Sequence, residues 1–368
     1  LLSTSSGGCR VEKSRILIGL VTALSDEWDA VESTIDNPAQ VTVDGDTTSY
    51  LYGTVPSRVQ GQPHHVIAVQ QVIDGNRSAA AVSARLAASF PGVRHLIMCG
   101  IAGGVPSAGH DIRIGDVVSS TRGIVDYDHV RSEAGGDRLR RPVEGLSKLL
   151  LSADQRLEAA ERAGRATWFQ ALEAPFDRKP AVHRGAIGSA DRLLRNAALR
   201  DRLAREFGVI AVEMEAAGLA VGADLNGLHW YVVRGISDLA DGTKSDDYHK
   251  YAASTAAAYV RSLLHEVAPP SGHAEVSEDG FGAIVSALTL LLSDEQNRRT
   301  ILRRLPANIR TQVPNRDTAR IQAVELVGTC ERFPGGGESL LDAVGAVAAD
   351  DPDFPMFTEA LRLHWRGR

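Results

Sequence analysis

The chain has 368 residues, a length that suits two domains better than one ordinary core. Hydrophobic residues make up 43% and charged residues 23%, the balance of a soluble globular protein. The net charge of -6 excludes the basic footprint of a general nucleic-acid binder. Cys9, Cys99 and Cys330 are scattered and odd in number, which argues for a reducing compartment and against a disulfide framework or a zinc site.

The start "LLSTSSGGCR" lacks the charged-then-apolar build of a signal peptide, so residues 1–14 are expected to be a disordered or trimmed terminus. From 15 to 267, apolar strand-like runs alternate with helical patterns. "RILIGLV" predicts a buried strand and "LSDEWDAVEST" a helix. "HHVIAVQ" is a strand, and "RSAAAVSARLAASF" a helix stopped by Pro91-Gly92. "HLIMCGI", "GDVVSSTRGIV" and "HRGAIGSAD" follow as strands. "GVIAVEMEAAGLAVGADL" passes from strand to helix, "HWYVVRGIS" is the last strand, and "YHKYAASTAAAYVRSLLHEV" the last helix. Such alternation, with strands apolar on both faces, predicts an α/β layered domain around a largely parallel sheet. Ligands in these sheets bind beyond the carboxyl ends of strands. The segment "SEAGGDRLRRPVEG" reads as a long exposed loop whose arginines are solvated.

Residues 268–280 contain "APPSGHAEVSEDG", a linker by its prolines, glycines and polar residues. Beyond it, residues 281–368 repeat apolar positions at helical spacing in four stretches, separated by "PANIRTQVPNR", "PGGG" and "DDPDF". They predict a small all-helical bundle. Its apolar run Phe281–Leu292 is too short to cross a bilayer. No internal repeat or low-complexity tract is present.

Four stretches carry candidate chemistry. In "IGLVTALSDEWDAV", Glu27 sits just after a strand, where it is either a carboxylate favoured by the helix dipole or a catalytic acid. In "MCGIAGGV", a strand is expected to enter a tight turn at three glycines, with Ile101, Ala102 and Gly103 near a ligand. This is neither a G-x-G-x-x-G fingerprint nor a P-loop, since His110-Asp111 follows Gly109. In "IAVEMEAAG", Glu213 and Glu215 would share one face of a strand, and burying both requires polar partners such as a sugar diol. A strand end with exposed acids is the alternative. In "HWYVVRGISDLADGTK", Arg234, Ser237 and Asp238 follow a strand too apolar for a surface element. It is not a nucleophile elbow, because Leu239 replaces the second glycine. No H-E-x-x-H, C-x-x-C or clustered histidine pair points to a metal, and no cofactor is expected.

Taken together and in this order, "IGLVTALSDEWDAV", "CGIAGGV" with "IGDVV", "GSAD", "AVEMEAAG" and "VVRGISDLAD" resemble the nucleoside phosphorylase superfamily. The resemblance is strongest to the nucleosidases of methylthioadenosine and adenosylhomocysteine, and it covers about Ile16 to Glu266. It implies a three-layer domain with a mixed central sheet and cleavage of an N-ribosidic bond. It also assigns roles: Asp238 as the acid that protonates the purine, and Glu27 as the acid that positions water. Glu215 matches the acid on the ribose hydroxyls and Met214 the methionine under the sugar. Glu213, Arg234, Ser237 and Tyr248 complete the substrate-binding set. Ile101 stands where these nucleosidases often carry serine, and Leu193 where they often carry phenylalanine, so the base pocket departs from the pattern.

The ending "GISDLADGTKSDDYHKYAASTAAAY" is similar to a sub-branch fused to signalling or immune-type modules. The C-terminal helices resemble bacterial effector-associated domains, death-domain-like adaptors that pair with copies on partner proteins. This implies a cytoplasmic, oligomeric effector in antiphage defence, acting on an adenine nucleoside or on ATP, with no nucleic-acid or membrane partner. Arg113, Arg122, Arg234 and Lys244 are candidate phosphate contacts, each also readable singly as an ordinary surface or structural cation. The strand-to-helix start offers Ser25, Asp26 and Glu27 in place of basic residues, and the like charges of the two acids would repel phosphate, so hydrolysis is expected rather than phosphorolysis. The alternatives are a nucleoside sensor without turnover, a phosphorolytic enzyme, and a scaffold for the helical tail.

Overall fold

The computed structural model describes residues 13–107, 109–133, 136–139, 145–173, 175–241, 247–268, 280–292, 294–315, 318–351 and 353–365. The chain divides into two compact units, Leu1–Pro269 and Pro270–Arg368. Residues 1–12, most of the segment read as a linker, Thr243 and Lys244 lie outside the described residues.

A short 3-10 turn, Lys13–Arg15, leads into β1 (Ile16–Thr22) and α1 (Ser25–Ser33). Then come β2 (Asp36–Val43), β3 (Asp46–Val55), β4 (His64–Gln70), α2 (Asn76–Ser89) and β5 (His95–Gly104). Short strands β6 (Val117–Ser119) and β7 (Ile124–Asp126) precede a hairpin of β8 (Val130–Glu133) and β9 (Gly136–Leu139). Helix α3 (Lys148–Arg162), β10 (Val182–Arg184), β11 (Ala186–Ser189) and α4 (Ala197–Phe207) follow. The unit ends with β12 (Val209–Glu213), α5 (Ala216–Leu225), β13 (His229–Asp238) and α6 (His249–His265).

Eleven strands form one mixed sheet whose main path is β10-β6-β13-β5-β1-β4-β3-β2. The apolar runs sit at its centre, where both faces are covered. In β5, Leu96 and Met98 pack with α2 and α5 residues such as Ala79, Leu86, Ala216 and Leu219. Their neighbours Ile97 and Cys99 pack on the opposite face with Ala30, Leu150, Ala253 and Leu264 of α1, α3 and α6. In β13 the same alternation sends Trp230 and Val232 to the first face and Tyr231 and Val233 to the second. A period of two in a run apolar at every position therefore makes the three layers.

Several local expectations are corrected. The glycines of "MCGIAGGV" make no tight turn, because β5 continues through Gly100 and Gly103 to Gly104. The segment read as an exposed loop contains the β8–β9 antiparallel hairpin. The hairpin β2–β3 was not anticipated: Val41 is the one fully buried position of its polar edge strand β2, although β3 buries Tyr50, Leu51 and Tyr52. Helix α4, with only Leu203 buried, had too narrow a stripe to stand out.

The second unit is all-helical: α7 (Gly280–Leu291), α8 (Glu295–Arg304), α9 (Ala307–Arg310), α10 (Ala319–Cys330), α11 (Gly336–Ala348) and α12 (Phe354–His364). They enclose one core that includes Ile284, Leu288, Ile301, Leu326, Val344 and Phe357. Asp294 and Thr318 cap α8 and α10 by accepting from Asn297 N and Ile321 N. The expected separator "PANIR" itself forms α9. Among the described residues no helix is long and apolar enough to cross a membrane.

Candidate active site

The site lies at the carboxyl ends of β1, β5, β12 and β13, and the pairing of β5 creates it. One edge of β5 pairs with β13 over most of its length. The other edge pairs with β1 only from His95 to Met98, and with β12 at Gly103 and Gly104. In the interval between, the Ile101 N–H donates to Glu27 Oε1 at 2.8 Å. Glu27 Oε2 accepts from Ala23 N at 2.7 Å and Leu24 N at 3.0 Å, so α1 begins by folding its third residue back onto its own entry. Three backbone donors hold this buried carboxylate in place.

Arg234, in β13, is fully buried. Its Nη2 donates to Glu213 Oε2, and to Glu215 Oε2 at 3.4 Å; its Nη1 lies 3.7 Å from Glu27 Oε1. One cation therefore faces three buried carboxylates. Gly100 makes this meeting possible: a Cβ there would lie 2.2 Å from Arg234 Nη1 and 2.4 Å from Glu27 Oε1. The glycine is needed for close approach, not for a turn.

Glu213 closes β12 and Glu215 is the N-cap residue of α5, so the two acids bracket a strand-to-helix turn. Glu213 accepts from Glu215 N at 3.0 Å and Ala216 N at 2.9 Å, which satisfies the first turn of α5. Glu215 takes a single backbone donor, Gly75 N at 3.2 Å. Burial, followed by the neighbouring Glu213 charge, pushes the Glu215 carboxyl up to about 8, against the opposing pull of Arg234.

Asp238 ends β13 behind a bulge. Ile236 pairs with Ala102 and Asp238 with Gly103, leaving Ser237 as the extra residue. The bulge re-aims the last side chain of the strand. Asp238 Oδ1 accepts from Ala240 N at 2.8 Å, and Oδ2 from Ser237 Oγ at 3.0 Å. Ala240 takes a positive φ of 51° to close this turn, a conformation that costs a non-glycine residue about 1 kcal/mol or more.

These groups line one cavity of about 310 Å³, at the lower end of the roughly 300–1,000 Å³ usual for small-molecule sites. Glu27, Ile101, Ala102, Gly103, Leu193, Glu213, Met214, Glu215, Ser237 and Asp238 are all on its wall. Arg234 lies behind the wall. Tyr248 lies elsewhere: its ring sits tilted against Phe176, 5.3 Å between centroids, and it lines a wider cleft of about 1130 Å³ over α6. That cleft's Asp36 is already paired with Arg261 at 3.0 Å, and no group of buried acids converges there. Arg113 pairs with Asp111 at an exposed position, and neither Arg113 nor Arg122 lines either cavity. Sequence reasoning missed Asp74, Tyr127, Arg192, Leu194, Ala240 and His249 on the site wall. Arg192 and Leu194 flank Leu193, directly after the "GSAD" stretch, and could have been found by extending that motif.

Comparison with known proteins identifies the family of each unit. A family model described as "Phosphorylase superfamily" matches residues 17–268, and "Effector-associated domain 2" matches residues 284–362. A nucleotide-binding leucine-rich repeat (NLR)-like protein of Hyaloscypha variabilis is 29% identical over 68% of this chain and 29% of its own length. The ATP nucleosidase Cap17 of Escherichia coli is 29% identical over 52% of this chain and 39% of its own. The chain thus spans well under half the length of these two curated relatives. Among solved structures, the 5'-methylthioadenosine/S-adenosylhomocysteine nucleosidase of Neisseria meningitidis superposes with a TM-score of 0.54 at 22% identity, covering 68% of this chain and 100% of that one; it establishes the shared fold. With its first unit matched almost end to end, the chain belongs to the Phosphorylase superfamily.

Proposed function

We propose that the first unit hydrolyses the N-ribosidic bond of an adenine nucleoside or nucleotide. The observation that carries this is the convergence of Glu27, Glu215 and Asp238 on one enclosed cavity. Asp238 is the general acid that protonates the departing base, held by Ala240 N and Ser237 Oγ at the end of an apolar strand. Glu215 accepts the ribose hydroxyls and Met214 packs under the sugar. Glu27, fixed by three backbone N–H groups, orients water toward the anomeric carbon. The bond breaks with its electron pair leaving on the base, the proton from Asp238 neutralises it, and water adds its hydroxyl to the anomeric carbon while its other proton passes to Glu27.

Hydrolysis is favoured over phosphorolysis by charge. Even with Glu215 protonated, Glu27 and Glu213 outnumber the single buried guanidinium, so a phosphate dianion at the water position would meet net repulsion. The name of the Cap17 relative, an ATP nucleosidase, favours a nucleotide such as ATP. A cavity of about 310 Å³ holds the nucleoside part. The helical unit then acts as an adaptor toward a partner that carries a matching domain, in a cytoplasmic oligomer.

The test is a panel of nucleosides and nucleotides incubated with the protein, with and without phosphate, and assayed for free base. Free base without phosphate is expected. Release only on adding phosphate would overturn hydrolysis. No release from any substrate would leave a sensor that binds without turnover.

A further inference from the structure

Tyr127, immediately after β7, is only 4% exposed and lines the cavity wall. Among the described residues its hydroxyl has no hydrogen-bond partner. The backbone N–H donates to Ser189 O at 3.1 Å, and Gly188 leaves room for the ring edge. The Arg192 guanidinium sits over the ring face at 5.4 Å and is itself tied to Asp128 at 2.6 Å. A buried hydroxyl left unpaired is costly, and native proteins hold few of them without a reason. Burial, then the Glu213 charge, raises its pKa, so at neutral pH the hydroxyl keeps its proton and can donate.

The position selects what it would read. Tyr127 belongs to one apolar cluster with Ala190, Leu194, Val212 and Ala240. Ala240 is the residue that holds Asp238, and Asp238 marks the base end of the cavity on the proposed reading. Glu27 and Glu215 mark the sugar end. We propose that Tyr127 is a specificity-determining residue, its hydroxyl donating a hydrogen bond to an acceptor on the purine base. This deepens the nucleosidase reading and rests on it.

The experiment is Tyr127→Phe, assayed on adenosine and ATP and on their 1-deaza and 3-deaza analogues, alongside melting curves of the unliganded proteins. The variant is expected to lose about tenfold in kcat/KM, as for a single neutral hydrogen bond. Its melting temperature should be unchanged or higher, because an unpaired buried hydroxyl has gone. One deaza analogue should cost the wild type the same factor and cost the variant nothing further. Activity within twofold of wild type overturns the proposal. So does a fall in melting temperature that accompanies the loss, which marks a structural role, and so do losses that add for both analogues. If the wild type cleaves nothing, the nucleosidase reading fails by itself, and calorimetric binding of adenine to wild type and variant still decides whether Tyr127 reads the base.

Discussion

Replacing Arg234 by methionine tests the electrostatic design of the site. The guanidinium is fully buried and faces Glu213, Glu215 at 3.4 Å and Glu27 at 3.7 Å. Methionine fills much of the volume but leaves three buried carboxylates without a cation. Breaking one buried pair in this way costs about 3–5 kcal/mol, and a unit of this size shifts by roughly 2–4 °C per kcal/mol, so a fall on the order of 10 °C is expected. The deficit should depend on pH. Arg234 is what opposes the upward push of burial and Glu213 on Glu215. In its absence Glu215 holds its proton more tightly, so the variant suffers least at acid pH, where Glu215 is protonated in both proteins. Thermal melts of wild type and Arg234→Met at about pH 5.5 and pH 8.5 measure both effects. A variant within about 2 °C of wild type at both values would refute the claim that one cation balances this cluster.

Other outcomes follow from the same geometry. Glu215 is raised from 4.5 to about 8, so between those values the folded state holds a proton that the unfolded state has lost. Stability should therefore fall as pH rises through that window, by up to about 1.4 kcal/mol per unit; Glu215→Gln should flatten the slope, and an equal slope in both proteins would count against it. Asp238→Asn keeps an acceptor for Ala240 N at 2.8 Å; it should melt like wild type and lose about 10²–10⁴ in kcat, and an active variant would remove Asp238 from its acid role. Gly100→Ala drives a methyl into Arg234 and Glu27 and should cost about 1–3 kcal/mol, read by denaturant titration, with a matching loss of activity. A chain ending before Ser277 should keep full catalysis if the helices are an adaptor, and a loss of turnover with intact folding would contradict that.

The legible parts of this fold were those where burial acts on both faces. The centre of the sheet was readable because β1, β5 and the first half of β13 carry long apolar runs. The hairpin β2–β3 sits at the sheet edge, where alternation is weak and Pro38 interrupts it. Within the site, the acids were visible because a carboxylate in an apolar run is conspicuous. The bulge at Ser237 was not, since register depends on the partner strand and leaves no local mark. Nor was the true use of Gly100, which depends on Arg234, 134 positions away, and on Glu27. Tyr127 was hidden for a similar reason: nothing in "IVDYDHV" distinguishes a wall residue from a surface tyrosine until β7 is placed beside β11.

The pairing of β5 links this fold to the proposed chemistry. A strand paired along both full edges would have no N–H available at Ile101, and Glu27 would lose one of its three anchors. Ending β1 early and returning β12 antiparallel beyond it opens that interval and brings Glu213 and Glu215 to the same place as Glu27. The cluster then carries more negative than positive charge, even with Glu215 protonated, because Glu213 and Glu27 still face one guanidinium. A sugar that becomes cationic as its bond to the base breaks is stabilised by this field before any atom moves, whereas a phosphate nucleophile is not. Asp238 stands apart from the cluster, on the far side of the bulge, and it has no part in the Arg234 ion pairs. On the proposed reading, the separation would let one cavity hold fixed negative charge at the sugar while a different carboxyl delivers a proton to the base. It also predicts that Arg234→Met and Asp238→Asn act independently: their effects on stability should add, and departure from additivity beyond about 0.5 kcal/mol would mean that the two ends of the site are coupled.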